Sequence, residues 1–569
     1  MRSAPLFLAA FLAALPSIAR GDDPKLRFDR RWVWAMTNLL VDKEADRIVD
    51  LIQRASKAGY NGIVISDYKC NFLDRMPPDY FKHVERVKQA AEKADVEIIP
   101  GLFSLGYSNG LLTNDVDLAE GMPVEGIPFA VKGREAVLVP LPEARFTNGD
   151  LEETKGDGET FVGINYQDEP GKLTFADRKV AHHGKTSCRL QPVNDGVARL
   201  IQSVKVRPHA CYRLSAWVKT RELSHPGNFR LMANGAEEGG HQLSFHEGGV
   251  EPTQDWKRVE IVFNTQDQAK VNLYAGIWGG RAGALWVDEI ALEELALVNV
   301  LRRDGCPLTV TSDDGKTAYV EGKDFEPVRD PKLGRVPYEG EYDFNHEGAP
   351  LRLTAGSRIK DGQALRVGWY HPVVVIGIQV MCCLSEPKVY DLLRDQAERV
   401  NALFKPKHFL MSHDEIRVAN WCRACQSRKL TPGALLADNA RRCTAILKKV
   451  NPHAKVLIWS DMFDPNHNAV AQDFYLVNGS LEGSWEGLAP EVILANWNAG
   501  KAKASLDFFA NRGHAQLIAG YYDDDDNYKL WDEASRGVPN ILGFMYTTWQ
   551  TRYDDLPRYG RAMLGGSGK

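Results

Sequence analysis

Apolar and polar positions follow two rhythms along this chain, and the rhythm changes twice. Trp32 to Thr37 reads as a strand, and Lys43 to Gly59 as an amphipathic helix with Ile48, Leu51, Ile52 and Ala55 on one face. Ile63 to Tyr68 is a second strand, Tyr80 to Ala94 a second helix and Val96 to Phe103 a third strand. The third strand runs into a Gly/Ser/Asn-rich loop, Ser104 to Gly110. Strand–helix alternation of this kind predicts a right-handed parallel sheet. From about Gly121 to Pro372 the helical period disappears and short alternating strands with turn signals replace it, which marks an all-β insertion. Its centre, Phe146 to Glu294, predicts an antiparallel sandwich, with Tyr212 to Val218, Trp256 to Phe263 and Ala284 to Leu292 as its clearest strands. The flanks, Gly126 to Pro142 and Leu297 to Tyr370, predict a second β-layer.

The first rhythm then resumes. Lys388 to Leu403 and Pro432 to Val450 are helices, and Ser505 to Arg512 a shorter one. Strands fall at Lys407 to Met411, Ala454 to Met462, Val492 to Asn498, Gln516 to Asp523 and Ile541 to Gln550. Three strands precede the insertion and five follow it, the eight that a closed barrel needs. The expected fold is α/β, a (β/α)8 TIM barrel interrupted after its third strand by an all-β insertion containing a β-sandwich. The expected boundaries are barrel at 30–120 and 388–560, flanks at 121–145 and 297–387, and sandwich at 146–296.

Composition changes this picture at a few points. Met1-Arg2, an apolar run from Ala4 to Leu15 and Ser17-Ile18-Ala19 have the form of a signal peptide over 1–19, so a secreted or periplasmic protein is expected. That run is too short to span a membrane, and no later run approaches the length required. A net charge of −5 over 569 residues gives no electrostatic case for nucleic acid. Of nine cysteines, Cys422-x-x-Cys425 with Cys443 downstream is the one local cluster. It reads as a disulfide or a helix-surface coincidence rather than zinc, because no second metal-spaced pair follows. No cofactor and no metal are expected.

The chemistry collects at the carboxyl ends of the late strands. There the chain places Asp414-Glu415, Trp459 with Asp461, Trp497, Tyr521-Tyr522 and Trp549. Carboxylates bond sugar hydroxyls or do acid–base work, while aromatic faces stack on the apolar C–H face of a pyranose. The structural alternative is that Asp414 caps a helix from Ile416 to Arg428 with Glu415 in its first turn. Trp217, Trp256 and Trp286 of the insertion read as core residues. Asp523 to Asp526 lacks calcium-ligand spacing and reads as a solvated acidic loop.

Two resemblances follow from these residues. Phe146-Thr147-Asn148-Gly149-Asp150, Tyr212-x-Leu214-Ser215-x-Trp217-Val218 and Trp286-Val287-Asp288-Glu289-Ile290 resemble carbohydrate-binding modules of the family 4/9 type. The barrel resembles family 20 glycoside hydrolases, the β-N-acetylhexosaminidases, through an Asp-Glu pair ending the fourth strand and Trp459-Ser460-Asp461 ending the fifth. Trp497, Tyr521 or Tyr522, and Trp549 match that family's sixth, seventh and eighth strands. Leu410-Met411-Ser412-His413 departs from the family's His-x-Gly-Gly. The family's sugar-clamping Arg is missing from Ala35-Met36-Thr37-Asn38, leaving Arg358 or Arg417 as substitutes. The resemblance implies a glycan substrate and retaining, substrate-assisted hydrolysis. Glu415 would be acid/base, Asp414 would orient the 2-acetamido group, and Tyr522 (or Tyr521) would donate to its carbonyl. His413, Trp459, Asp461, Trp497, Tyr521 and Trp549 would bind the sugar. Two alternatives remain: a conventional pair, with Asp461, Glu486 or Asp523 partnering Glu415 on sugars lacking the acetamido group, and a glycan-binding protein without turnover.

Overall fold

The computed structural model describes residues 28–564 apart from 238–239, 246–247, 336–337 and 525; the expected signal peptide lies outside the described residues. Eight parallel strands close into a barrel: Arg30–Thr37, Gly62–Asp67, Glu97–Leu102, His408–Met411, Lys455–Trp459, Ile493–Asn496, Gln516–Ala519 and Ile541–Tyr546. Leu410 and Met411 pair with Gly101 and Leu102, so the third and fourth strands are neighbours although some 300 residues separate them in sequence.

Strand alternation builds the two layers. Trp32, Trp34, Val64, Ile99, Leu410, Leu457, Trp459, Ile493, Ala495, Leu517, Ala519 and Met545 fill the barrel interior. The intervening residues, Val33, Ala35, Ile63, Ile65, Phe409, Met411, Val456 and Ile458 among them, pack outward against the helices. Two-residue periodicity turned into opposite faces is what makes that division. The first helix, Asp42–Lys57, buries the expected Ile48, Leu51, Ile52 and Ala55. Burial of each large aliphatic side chain contributes about 1.5–3 kcal/mol. Helices Pro78–Lys93, Pro387–Phe404 and Pro432–Val450 each begin with proline, whose fixed φ and missing N–H suit the first helical turn.

The insertion is all-β as expected. Two antiparallel sheets make its centre. One orders Gln254–Asn264, Cys211–Arg221, Ala284–Leu295, Ser187–Leu190 and Thr174–Asp177; the other orders Phe229–Gly235, Lys270–Gly280, Gly196–Lys205 and Tyr166–Gln167. A third sheet joins the two flanks, because Ala364–His371 pairs with Met122–Lys132 in antiparallel register. The tryptophan expectation holds in part. Leu214, Ala216, Val218, Leu285 and Val287 form the apolar face of the first sheet, Trp286 is buried as expected, and Trp217 and Trp256 are only half-buried. Trp286 is covered by the 177–183 loop through its N–H bond to Asp177 (2.9 Å), and Trp217 stacks on His182 at 3.9 Å.

A second correction concerns the segment after the fourth strand. No helix spans Ile416 to Arg428. The chain stays irregular to Arg417, forms the short strand Val418–Ala419 and makes only one helical turn, Arg423–Gln426. Asp414 is therefore not a helix cap. Of the two readings of the Cys422-x-x-Cys425 cluster, a disulfide or a helix-surface coincidence, the disulfide is not formed: all nine cysteines are free thiols, each buried.

Candidate active site

At the carboxyl ends of the strands lies a cavity of about 540 Å³. Its wall includes Trp34, Tyr107, Asp414, Glu415, Trp459, Trp497, Tyr522 and Trp549, one or more from nearly every strand end. Trp34, Trp459 and Trp549 meet edge to face or tilted, with ring centroids 5.3, 5.6 and 6.1 Å apart. Trp497 and Tyr522 stack with an interplanar angle of 3°. These rings make an apolar floor and side. Five residues of the wall each carry a buried polar atom without a protein partner: Trp34 Nε1, Thr37 Oγ1, Gln396 Oε1, Ser412 Oγ and Trp549 Nε1. Buried polar atoms without partners are uncommon, and here they collect around an aromatic cavity.

The acid pair is held by its backbone. Ser412 N–H donates to Leu102 O (2.7 Å) and Leu105 N–H to Ser412 O (3.1 Å), which carries strand pairing just past the barrel. Glu415 then takes a left-handed conformation, φ 53°. For a non-glycine residue that conformation costs free energy, and it is held only when the surroundings fix it. Here the fixing contacts are identifiable. Glu415 N–H donates to Asp461 Oδ2 (3.0 Å), and Glu415 O accepts from Gln379 Nε2 (3.0 Å). Gly106 packs so closely that a Cβ there would fall 1.9 Å from Asp414 O.

The turn aims the Glu415 side chain at the cavity, where Arg417 pairs with Oε1 (2.7 Å) and the Tyr107 hydroxyl bonds Oε2. Gln379 also bonds Arg417, and Arg417 lies over the Tyr475 ring at 4.9 Å. Of the two arginines proposed from sequence, Arg417 is thus at the site. Arg358 is not, being paired with Asp324 in the flank of the insertion.

Burial dominates the electrostatics. It pushes the Asp414 carboxyl up to about 7, with the Glu415 charge adding to the rise and Arg417 opposing it. Asp461 is pushed up to about 8 by burial first, then by the charges of Asp414 and Glu415. The Tyr522 hydroxyl rises to about 12, again chiefly by burial, and so remains a donor at neutral pH.

The structure brings together six of the nine residues singled out from sequence: Asp414, Glu415, Trp459, Trp497, Tyr522 and Trp549 all line the cavity. The other three do not. His413 is fully buried in the helical layer, bonded to Asn439 (3.0 Å), and burial lowers its imidazole to about 3. Tyr521 turns the opposite way from Tyr522, stacking on Tyr546 and donating to Asp555 (2.7 Å). Asp461 lies behind the wall, holding Glu415 N–H and Asn468 Nδ2 (3.1 Å). Asp523 is likewise no free solvated acid: it accepts from Thr548 Oγ1 (2.5 Å) and Trp549 N (2.9 Å), and so fixes the start of the Trp549 loop.

Sequence reasoning missed Trp34, Tyr107, Asp67 and Gln379. Trp34 carried a signal, since it shares the interior parity of Trp32 one step nearer the strand end. Tyr107 sits in the Gly-rich loop that was noted without a role. Gln379 carried none, because it comes from the end of the insertion.

No protein-family model matches the chain, and no curated protein matches it. Among solved structures, a rhamnosidase from Novosphingobium sp. PP1Y matches 94% of this chain and 59% of its own at 12% identity and TM-score 0.33. A Flavobacterium johnsoniae chitobiase matches 32% of this chain and 30% of its own at 17% identity and TM-score 0.25. A family 16 carbohydrate-binding module matches 26% of this chain and 99% of its own at 19% identity and TM-score 0.20. These neighbours are carbohydrate-active enzymes and a carbohydrate-binding module, and the likeness to each is partial.

Proposed function

We propose that this chain is a glycoside hydrolase, a retaining exo-acting β-N-acetylhexosaminidase that uses substrate-assisted catalysis. The observation that carries this reading is the inventory of acids at the cavity. Among the described residues, three carboxylates line it: Asp67, Asp414 and Glu415. Asp67 is fully engaged, accepting from Leu39 N, Lys69 N and the Tyr80 hydroxyl at 2.9–3.1 Å. That leaves two adjacent acids on one wall. A conventional retaining or inverting enzyme needs its pair on either side of the scissile bond, about 5–5.5 or 6.5–9.5 Å apart. The partners such a scheme would need are elsewhere. Asp461 is behind the wall, Asp523 holds the Trp549 loop, and Glu486 pairs with Arg512 at the surface. A sugar that supplies its own nucleophile removes the need for a second carboxylate opposite.

In this scheme Glu415 gives its proton to the glycosidic oxygen as the bond to the anomeric carbon breaks. The glycosidic oxygen takes the place that Tyr107 occupies at Oε2. The acetamido carbonyl attacks the anomeric carbon, Asp414 accepts the acetamido N–H and Tyr522 donates to the carbonyl oxygen. Glu415 then takes a proton from the water that opens the cyclic intermediate, so the anomeric configuration is retained. Trp34, Trp459 and Trp549 stack on the ring and its methyl group. Arg417 is a positioning residue that sets the Glu415 rotamer.

The test is hydrolysis of 4-nitrophenyl β-N-acetylglucosaminide and β-N-acetylgalactosaminide beside the plain β-glucoside and β-galactoside. Turnover confined to the acetamido sugars, and lost in Asp414→Ala, is the expected result. Turnover of the plain sugars overturns substrate assistance. Binding of glycans without turnover by the wild type overturns the enzyme reading altogether.

A further inference from the structure

The cysteine pair that has no role at the cavity acquires partners in three dimensions. Cys383, from the return of the insertion, brings its Sγ to 3.4 Å from that of Cys422 and 3.6 Å from that of Cys425. Glu120, just past the third barrel strand, completes the group with Oε2 3.6 Å from Cys425 Sγ. One ligand atom from each of the four lies within 4.8 Å of all the others. All four residues are buried, between 0 and 2% exposed.

From this geometry we infer a structural zinc site with Cys383, Cys422, Cys425 and Glu120 as ligands. Three features support it. First, an ion with zinc–sulfur bonds of about 2.3 Å sets tetrahedral sulfur–sulfur edges of about 3.8 Å, close to the separations seen. A disulfide would need a sulfur–sulfur distance of about 2.05 Å. Second, the Glu120 carboxylate divides its work. Oε1 accepts from Trp421 N (2.7 Å) and Cys422 N (2.9 Å), which fixes the group and leaves Oε2 facing the sulfurs. Third, Arg303 Nη1 lies 3.7 Å from Cys422 Sγ, a fixed positive charge beside a cluster that would carry excess negative charge once zinc bound three thiolates and a carboxylate.

Cys422 is the N-cap of the single turn Arg423–Gln426 and Cys425 lies within it three residues on, a spacing that puts both sulfurs on one face. Four protein ligands and no exposure are the marks of a closed structural site rather than a catalytic one. Its mechanical consequence follows from the chain positions. It staples the entry and the exit of the insertion to the loop that begins at Asp414-Glu415, gripping it at Cys422, five residues after Arg417.

The test is metal content of the full-length protein, purified under reducing conditions from zinc-supplemented culture. About one zinc per chain is expected, with near-complete loss in Cys383→Ser and Cys425→Ser and full retention in Cys443→Ala, whose thiol lies outside the cluster. Cobalt substitution of the wild type should give the thiolate-to-metal charge-transfer band and intense visible bands of a tetrahedral sulfur site. Removal of zinc should lower Tm in the wild type, and readdition should restore it. Wild-type protein with no stoichiometric metal before or after zinc addition overturns the site, as does an intact mass short by two hydrogens, or iron with acid-labile sulfide in place of zinc. The wild-type measurements stand even if a cysteine variant fails to fold, and none depends on glycosidase activity.

Discussion

At the residue scale the site is organised by one strained position. Glu415 adopts φ 53° because Asp461, Gln379 and Gly106 leave its backbone no alternative. Asp461→Ala should therefore reduce kcat by about 10²-fold with little change in KM, since a reacting group displaced by an ångström costs about that much. Steady-state kinetics on an acetamido glycoside checks it. A pH effect follows from Asp414. Under the proposed scheme its carboxyl, raised to about 7, must be ionised to accept the acetamido N–H while Glu415 still holds the proton it donates, so Asp414 should set the acid limb of a bell-shaped kcat/KM profile, near pH 7. Asp414→Asn keeps an acceptor oxygen but does not titrate, and its profile should lose that limb. Stability runs the other way. Asp461, raised to about 8 in the fold, binds its proton more tightly folded than unfolded. The stability it contributes is complete below the unfolded value near 4 and is lost as pH rises toward 8. Asp461→Asn should flatten the dependence of Tm on pH across that window.

At the scale of elements, strand parity explains why aromatic rings collect at the mouth. Interior positions alternate along each strand, so the interior residues nearest the loop face the cavity, as Trp34, Met36 and Trp459 do. Trp549→Ala should raise KM for aryl glycosides by about 10-fold, the equivalent of about 1.4 kcal/mol of lost stacking and contact. Gly106→Ala tests the close approach of two loops. Its methyl would meet the Asp414 and Glu415 backbone, which cannot move without moving both acids, so activity should fall by about 10²-fold. Much of the element scale was legible in the sequence. The eight strands, the first helices and the change of rhythm at the insertion all follow from local periodicity, and the acids stood out because they interrupt an apolar run. What was not legible was the path after Glu415. The apolar spacing of Ile416 to Arg428 suits a helix, but Arg417, Trp421 and the cysteines find their partners across the fold instead.

At the scale of the molecule the insertion takes part in the site. Gln379, from its return segment, bonds Gly106 O (2.6 Å), Glu415 O and Arg417, three groups of the acid loop and its neighbour. Gln379→Ala would leave buried partners unsatisfied, at about 1–3 kcal/mol, and should lower both Tm and kcat. Thermal unfolding and kinetics on the same preparation would show the two falling together. Across the fold, the sequence by itself determined what depends on neighbours a few residues apart: strand and helix period, the barrel count, the all-β insertion and the acids and rings at the strand ends. Only the tertiary structure decided which way those side chains turn once strand parity ends. Tyr522 faces the cavity and Tyr521 the helices because the backbone at Tyr522 is left-handed, φ 52°, a conformation set by its surroundings. Asp461 was withdrawn from the wall, Gln379 brought to Glu415 and Cys383 to Cys422 by the same kind of contact, between residues 36 to 46 positions apart. Such contacts depend on chain closure and packing density, which no local pattern of residues encodes.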